Sequence, residues 1–210
     1  MDSRGIGTQR VEEVLKKEFP LARISRMDRD TTRSRGSHGR ILRSLAEGEI
    51  DILVGTQMVA KGHDYPGITL VGVVQADATL NMPDFRAGER SFQLLCQVAG
   101  RAGRGDRRGQ VILQTYSPNH YAVIAAAAQD YEAFYCREIA YRREYRHPPY
   151  SRMIRLLFTH LNDVRAREEA TRLGRRLLLE REAIGLVEVD VIGPAPAYPA
   201  RIRGRYRWHV

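Results

Sequence analysis

Up to Thr115, amphipathic stretches alternate with short runs that are almost wholly apolar, and this alternation constrains the fold more than any other feature of the chain. Ile50–Val54 and Leu70–Val74 have the composition of strands buried on both faces. Between such runs lie segments of helical period. Thr8 is placed to N-cap a helix over Arg10–Glu18 with Val11, Val14 and Leu15 on one side, ended by Pro20. A short strand over Arg23–Met27 and a polar loop, Asp28 to Gly39, lead to a helix over Arg40–Glu47, with Ile41, Leu42 and Leu45 on one face and Gly48 as its stop. Beyond Pro83 a helix is expected over Arg86–Ala99, with Phe92, Leu95 and Cys96 on its apolar side, followed by a strand over Gln110–Thr115. Parallel strands need crossover connections, usually helices, so this order predicts an α/β lobe built on a parallel sheet.

The pattern changes after Pro118. Residues His120–Tyr145 are Ala-rich and aromatic and predict one long connecting helix, broken by Pro148-Pro149. A strand over Met153–Phe158, an amphipathic helix over Asp163–Glu182 carrying Leu173, Leu177 and Leu178, and a strand over Val187–Ile192 should follow. Pro194, Pro196 and Pro199 read as a rigid loop, and Arg205–Val210 as a strand barely begun. The expected organisation is a lobe over residues 1–118, a connecting helix over 119–147, and a small, truncated α+β domain of β-α-β character over 148–210.

Composition sets outer bounds. With 210 residues there is room for one large or two small domains, and 43% hydrophobic with 28% charged residues is ordinary for a globular chain. No apolar run approaches the roughly 20 residues of a membrane-spanning helix, and no secretory leader is evident, so the expectation is a soluble, cytoplasmic protein without a membrane partner. Cys96 and Cys136 form no Cys-x-x-Cys pair, so neither zinc nor a disulfide framework is expected, and both read as buried small hydrophobes. The net charge of +9 permits nucleic acid as a partner. It is carried almost wholly by arginine, since the only lysines are Lys16, Lys17 and Lys61, and it forms no basic block.

Two constellations stand out. In Gln97-Val98-Ala99-Gly100-Arg101-Ala102-Gly103-Arg104-Gly105, two arginines three apart follow a helix and are separated by glycine. Planar, permanently charged guanidinium groups can clamp one polyanion together, while the alternative is a glycine-rich turn with two solvated arginines. The second runs from Val54 to Asp64. It begins where a strand ends, the place where open parallel sheets bind ligands, and it offers Thr56, Gln57 and Lys61 as donors and Asp64 as an acceptor. By itself it could equally be a structural strand-to-helix connection.

These segments resemble motifs V and VI of superfamily-two helicases, whose motors pair two RecA-like lobes. Gln97, Gly100, Arg101, Gly103 and Arg104 match the superfamily's Gln-x-x-Gly-Arg-x-Gly-Arg pattern in full. Asp51–Gly62, Asn81–Arg90 with its Pro-Asp-Phe-Arg, and Tyr145–Ser151 with its Pro-Pro-Tyr are similar to the PriA-type replication-restart DNA helicases, the family of primosomal protein N′. The chain lacks the phosphate-cradling G-x-x-x-x-G-K-[ST] loop and an Asp-Glu dipeptide, so it resembles a fragment: the second motor lobe and part of a carboxy-terminal domain.

The resemblance implies an ATP-dependent 3′-5′ DNA helicase acting in replication restart and primosome assembly at stalled forks, with this fragment inactive alone. ATP with Mg²⁺ would be shared with the absent lobe, which in the family also precedes cysteine zinc ligands that this chain does not contain. Arg101 and Arg104 would act catalytically on the γ-phosphate, with Gln97, Gly62 and Asp64 against the nucleotide. Thr56, Gln57 and Lys61 would hold DNA, and Arg29 with Asp30 would touch the tracking strand or else form a solvated loop. Implied partners are single-stranded and forked DNA, single-stranded-DNA-binding protein and other primosome components. A non-motor nucleic-acid or interaction module, or an RNA remodelling helicase, remains the alternative. Arg201, Arg203, Arg205 and Arg207 alternate, so one strand would place them on a face opposite Tyr206 and Trp208. Such a face suits single-stranded DNA or a solvated basic strand over an aromatic core.

Overall fold

The computed structural model describes residues 7–28, 37–56, 67–100 and 109–210, which form two compact units dividing between Tyr141 and Arg142. In the first unit, α1 (Thr8–Glu18) leads to β1 (Ile24–Met27), and α2 (Ser37–Ala46) to β2 (Ile52–Gly55). Strands β1 and β2 pair in parallel, with Met27 opposite Gly55, so that Asp28 and Thr56 emerge side by side at their carboxyl ends. Met27 and Leu42 are buried between sheet and helix, with Ile41, Leu45, Leu53 and Ile68 packed around them. The opposite end of the pair is fixed by Arg23, whose Nε and Nη2 donate to the two Asp51 carboxylate oxygens at 2.9 and 2.7 Å. That side-chain pairing holds the Asp51 pKa down at about 2.

A second parallel pair joins β3 (Leu70–Val73) to β4 (Gln110–Leu113), with the short helix α3 (Asp77–Leu80) and then α4 (Ala87–Ala99) on the crossover. The buried residues of α4 are Ala87, Gly88, Ser91, Phe92 and Leu95, one stripe at helical spacing. Two further helices, α5 (Tyr121–Ala128) and α6 (Tyr131–Glu144), cover this stripe. Phe92 stacks on Phe134 at 4.1 Å between ring centroids, and Ala122, Val123, Ala125 and Ala126 complete the cluster.

In the second unit a three-stranded antiparallel sheet, ordered β5 (Leu157–His160), β7 (Arg205–His209), β6 (Ala195–Ile202), carries the long helix α7 (Asp163–Ala183). The α7 residues buried are Ala166, Ala170 and Gly174, so small side chains make the close contact. Trp208 Nε1 donates to Asp163 Oδ1 at 2.8 Å where α7 begins. Leu173 and Leu177 are half-buried and Leu178 is exposed, so the leucines are not the contact stripe that the sequence predicts.

The α/β class and the parallel pairing agree with the sequence, and several local expectations are corrected. Thr8 is the first helical residue rather than the N-cap, which is Gly7, and the Thr8 hydroxyl donates to Asp28 Oδ2 at 2.7 Å. The single helix over His120–Tyr145 is two, because Gln129 takes a left-handed conformation that ends α5 and Asp130 Oδ1 accepts from Ala133 N to open α6. Val187–Ile192 forms no strand; both named ends are largely exposed, at 80% and 78%, and without a ladder their backbone has no reason to extend. The proline loop is instead β6. It lies at the sheet edge, where prolines lacking an N–H are tolerated, and it is irregular between Pro196 and Arg201.

The final segment is the central strand, not one barely begun. Arg203 and Gly204 form the two-residue hairpin turn, both at positive φ, as a tight turn between right-twisted strands requires. The hairpin divides the four alternating arginines. Arg201 stands opposite Tyr206 with its guanidinium 4.8 Å from the ring centroid, so the single basic face does not form. Cys136 is exposed and Cys96 half-buried, against the expectation that both are buried.

Two outcomes test this packing. Phe134→Ala removes the ring stacked on Phe92 and should destabilise the first unit by about 3 to 5 kcal/mol in denaturant titration; a cost under about 1 kcal/mol would contradict the described core. His120 caps α5 through Nδ1, which accepts from Ala122 N and must be neutral to do so. Burial lowers its pKa, with the Glu138 charge working in the opposite direction. The unfolded chain therefore binds more protons as pH drops below about 6.5, so this stability is complete above that value and declines as pH falls through the lowered folded pKa. Tm should drop over that interval less steeply in His120→Asn, which keeps a capping oxygen; equal slopes would exclude His120 as the titrating group.

Candidate functional site

The structure places two of the candidate side chains on different elements. Thr56 follows β2 directly and is exposed, at the carboxyl end of the β1–β2 pair. Gln97 lies half-buried in the last turn of α4. That helix closes at Gly100, whose N–H donates to Cys96 O at 3.0 Å, and the sequence runs on directly into Arg101. No hydrogen bond or ion pair joins Thr56 to Gln97 among the described residues. Arg29, Asp30, Gln57, Lys61, Gly62, His63, Asp64, Arg101 and Arg104 lie outside the described residues.

What the structure defines in detail is the support of these segments. The Asn81–Arg90 stretch forms the entry to α4. Asp84 Oδ1 accepts from Arg86 N at 3.0 Å and Arg86 Nε at 3.2 Å, while Arg90 Nη1 lies 2.8 Å from Asp84 Oδ2. Burial acts to raise the Asp84 pKa, but the Arg86 backbone and guanidinium outweigh it and hold the carboxyl below its ordinary range. The Arg86 guanidinium also lies over Phe85, 5.1 Å from its centroid. The Asp-Phe-Arg signature is therefore a folded start for the helix that carries Gln97.

A second carboxylate, Asp77, this one buried, ties the end of β4 to the residues after β3. Asp77 Oδ1 accepts from the Thr115 hydroxyl at 2.7 Å and Oδ2 from Tyr116 N at 2.9 Å. Burial again opposes ionisation, and these bonds overcome it, so the Asp77 pKa is lowered. A third, Asp28, closes β1: it accepts from Thr8 and lies 3.2 Å from Arg26 Nε, which also approaches Glu12 at 3.4 Å. The sequence continues from Asp28 into Arg29. In the second unit the Tyr145–Ser151 stretch is clasped by α6, since Arg142 Nη1 donates to Pro148 O at 3.2 Å and Arg143 Nη2 to the Tyr150 hydroxyl at 3.1 Å.

Sequence reading missed Asp28, Asp77 and Glu138 as organising residues. Asp28 and Asp77 show their role only through partners distant in sequence. Glu138 did leave a signal, because a carboxylate four residues from Phe134 falls on the helix face that Phe134 buries.

In sequence the amide of Gln97 is followed by the guanidinium groups of Arg101 and Arg104, side chains of the kind that contact polyphosphates. No cluster of three or more His, Cys, Asp or Glu side chains among the described residues is arranged to hold a metal. No helix among them is long and apolar enough to cross a membrane.

Residues 6–106 match the helicase conserved C-terminal domain, and residues 143–210 match the primosomal protein N C-terminal domain. The chain is 47% identical over 204 residues to the replication restart protein PriA of Bacillus subtilis, covering 97% of this chain and 25% of the relative. Identity to the protein of that name from Synechocystis is 46%, covering 98% and 24%, and to that from Haemophilus influenzae 37%, covering 98% and 28%. The chain thus spans about a quarter of the length of the curated relatives it matches. With both domains in this order and near-complete coverage by these relatives, the chain belongs to the replication restart protein PriA family.

Proposed function

We propose that this chain is the second motor lobe, with part of the carboxy-terminal domain, of an ATP-dependent 3′-5′ DNA helicase that acts in replication restart and primosome assembly at stalled forks. The observation that carries the reading is the Gln97–Arg104 pattern at the carboxyl end of α4, in a chain similar over 97% of its length to a replication restart protein. In this reading the lobe occupies residues 1–118, a connecting segment 119–147 and the partial domain 148–210. The protein works in the cytoplasm on single-stranded and forked DNA, with single-stranded-DNA-binding protein and other primosome components as partners.

ATP with Mg²⁺, held by a first lobe outside this chain, supplies the phosphoryl group that is transferred to water. Arg101 and Arg104 approach that group from α4 and stabilise the charge that accumulates on its equatorial oxygens. Gln97 contacts the same phosphate through its amide, and Gly62 with Asp64 lies against the nucleotide. Thr56 and Gln57, following β2, hold the DNA backbone, Lys61 serves either ligand, and Arg29 meets the tracking strand after β1. Both sets of residues belong by sequence to the first compact unit, which in this reading couples lobe closure to strand displacement. Zinc belongs to the longer family members, and no step assigned to this chain depends on it.

The 210-residue chain alone should show no ATPase above background with or without single-stranded DNA, and DNA-stimulated turnover by it would overturn the half-site reading. In the full-length protein that carries this chain, Arg104→Ala should retain DNA binding while losing hydrolysis by a factor on the order of 10³. Unchanged turnover in a steady-state ATPase assay would refute the role of Arg104.

A further inference from the structure

From the anchoring of the loop after β4 we infer that Tyr116 is a stacking platform for a nucleobase, of DNA or of ATP; the inference rests on the helicase reading proposed above. Tyr116 is the most exposed aromatic residue among those described, at 87%. Its ring stacks on no other and its hydroxyl bonds to nothing among the described residues. Exposure of that degree ordinarily goes with a mobile loop. Here the backbone beneath the ring is fixed. Tyr116 N donates to Asp77 Oδ2 at 2.9 Å, and the Thr115 hydroxyl donates to Asp77 Oδ1 at 2.7 Å. Ser117 N in turn donates to the Thr115 hydroxyl at 3.0 Å, so three consecutive residues hang on one buried carboxylate.

The fold gives up free energy to build this anchor. Burying Asp77 strips a carboxylate of water, a loss that only its hydrogen bonds to the end of β4 offset. Gln75, two residues beyond β3, takes a left-handed conformation at φ 58°, which residues other than glycine adopt rarely. With that turn Ala76 N donates to Gln114 O at 3.1 Å, and α3 begins at Asp77, whose carboxylate meets the end of β4. Backbone strain of this kind persists where surrounding contacts enforce it, and it concentrates at ligand sites. Gln75, Asp77 and Tyr116 lie together at the carboxyl ends of two parallel strands, the edge at which such sheets bind ligands. A ring held in place before binding loses less entropy on contact than a mobile one. It offers a flat apolar face, and the planar partners that a nucleic-acid motor meets are nucleobases. Every base has such a face, so stacking holds a strand without reading its sequence, as a motor passing along any sequence requires.

The test uses the full-length protein carrying this chain. Tyr116→Ala should leave the melting temperature unchanged, since the ring packs on nothing, and should raise the Kd for an oligothymidylate or the KM for ATP by about 5- to 150-fold, the worth of one stacked base. Tyr116→Phe keeps the ring and should match the wild type within about twofold. A rise in Kd assigns the platform to DNA. In that case Tyr116→Ala and wild type should bind an abasic oligonucleotide equally, with the same dependence of log Kd on log salt, because no phosphate contact is removed. A rise in KM assigns it to adenine, and tripolyphosphate, which has no base, should then inhibit both proteins equally. Unchanged Kd and KM in Tyr116→Ala would overturn the proposal. So would a loss in Tyr116→Phe as large as in Tyr116→Ala, which would put the effect on the hydroxyl, or a loss that persists with the ligand lacking a base. Wild-type protein that neither binds single-stranded DNA nor hydrolyses ATP would sink the helicase reading and this inference together. A wild type competent in both, matched by Tyr116→Ala, sinks this inference alone.

Discussion

Packing of α4 against α5 and α6 is the constraint on which the rest of the first unit depends. The helix is fixed at its entry by Asp84, whose carboxylate takes up the Arg86 backbone and both neighbouring guanidinium groups, and along its length by Gly88 and Phe92. Its exit leads to the arginine run. Partly exposed ion pairs contribute little stability individually, and Arg86 and Arg90 are about half exposed. The Asp84 cluster therefore matters as a geometric start to the helix, while burial of Phe92, Leu95 and Phe134 supplies the free energy that holds it in place.

A shared logic governs the strand ends. Asp28 after β1 and Asp77 after β3 are both buried carboxylates, and each is bonded to a hydroxyl from a distant segment: Thr8 in one case, Thr115 in the other. A loop leaving a parallel sheet has no ladder to satisfy its backbone, so its path is set by such side-chain anchors. Thr56 emerges beside Asp28 because Met27 is in register with Gly55.

Local pattern was enough to read the parallel lobe: short apolar runs between amphipathic helices, with boundaries displaced by a few residues, as at β1, β2 and α4. The Gln97–Arg104 pattern stands out for the same reason, being contiguous in sequence. Failures came where a nonlocal partner or a single backbone conformation decides the outcome. Gln129 at positive φ splits an otherwise unbroken helical composition, and no periodicity reports it. Pro196 and Pro199 look like loop residues until the sheet order makes β6 an edge. The four alternating arginines look like one strand face until Arg203-Gly204 turns the chain between them. Glu138, Gly88 and Tyr121 lie 17 to 50 residues apart and acquire meaning only when three helices converge.

The net charge of +9 has to be read against this architecture. Many arginines are engaged within the fold. Arg23 pairs with Asp51, Arg26 lies between Glu12 and Asp28, and Arg86 and Arg90 converge on Asp84. In the second unit Arg142 and Arg143 clasp the Pro-Pro-Tyr turn, Arg201 lies over Tyr206, and Arg207 donates to the carbonyls of Tyr198 and Pro199. Arginine serves this purpose better than lysine, because its planar fork satisfies several acceptors while remaining charged. An excess of arginine in such a chain is thus partly a structural device, and affinity for polyanions depends on where guanidinium groups are left to converge rather than on how many there are. In sequence, two arginines separated by glycine, Arg101 and Arg104, follow directly on a helix that is fixed at several points.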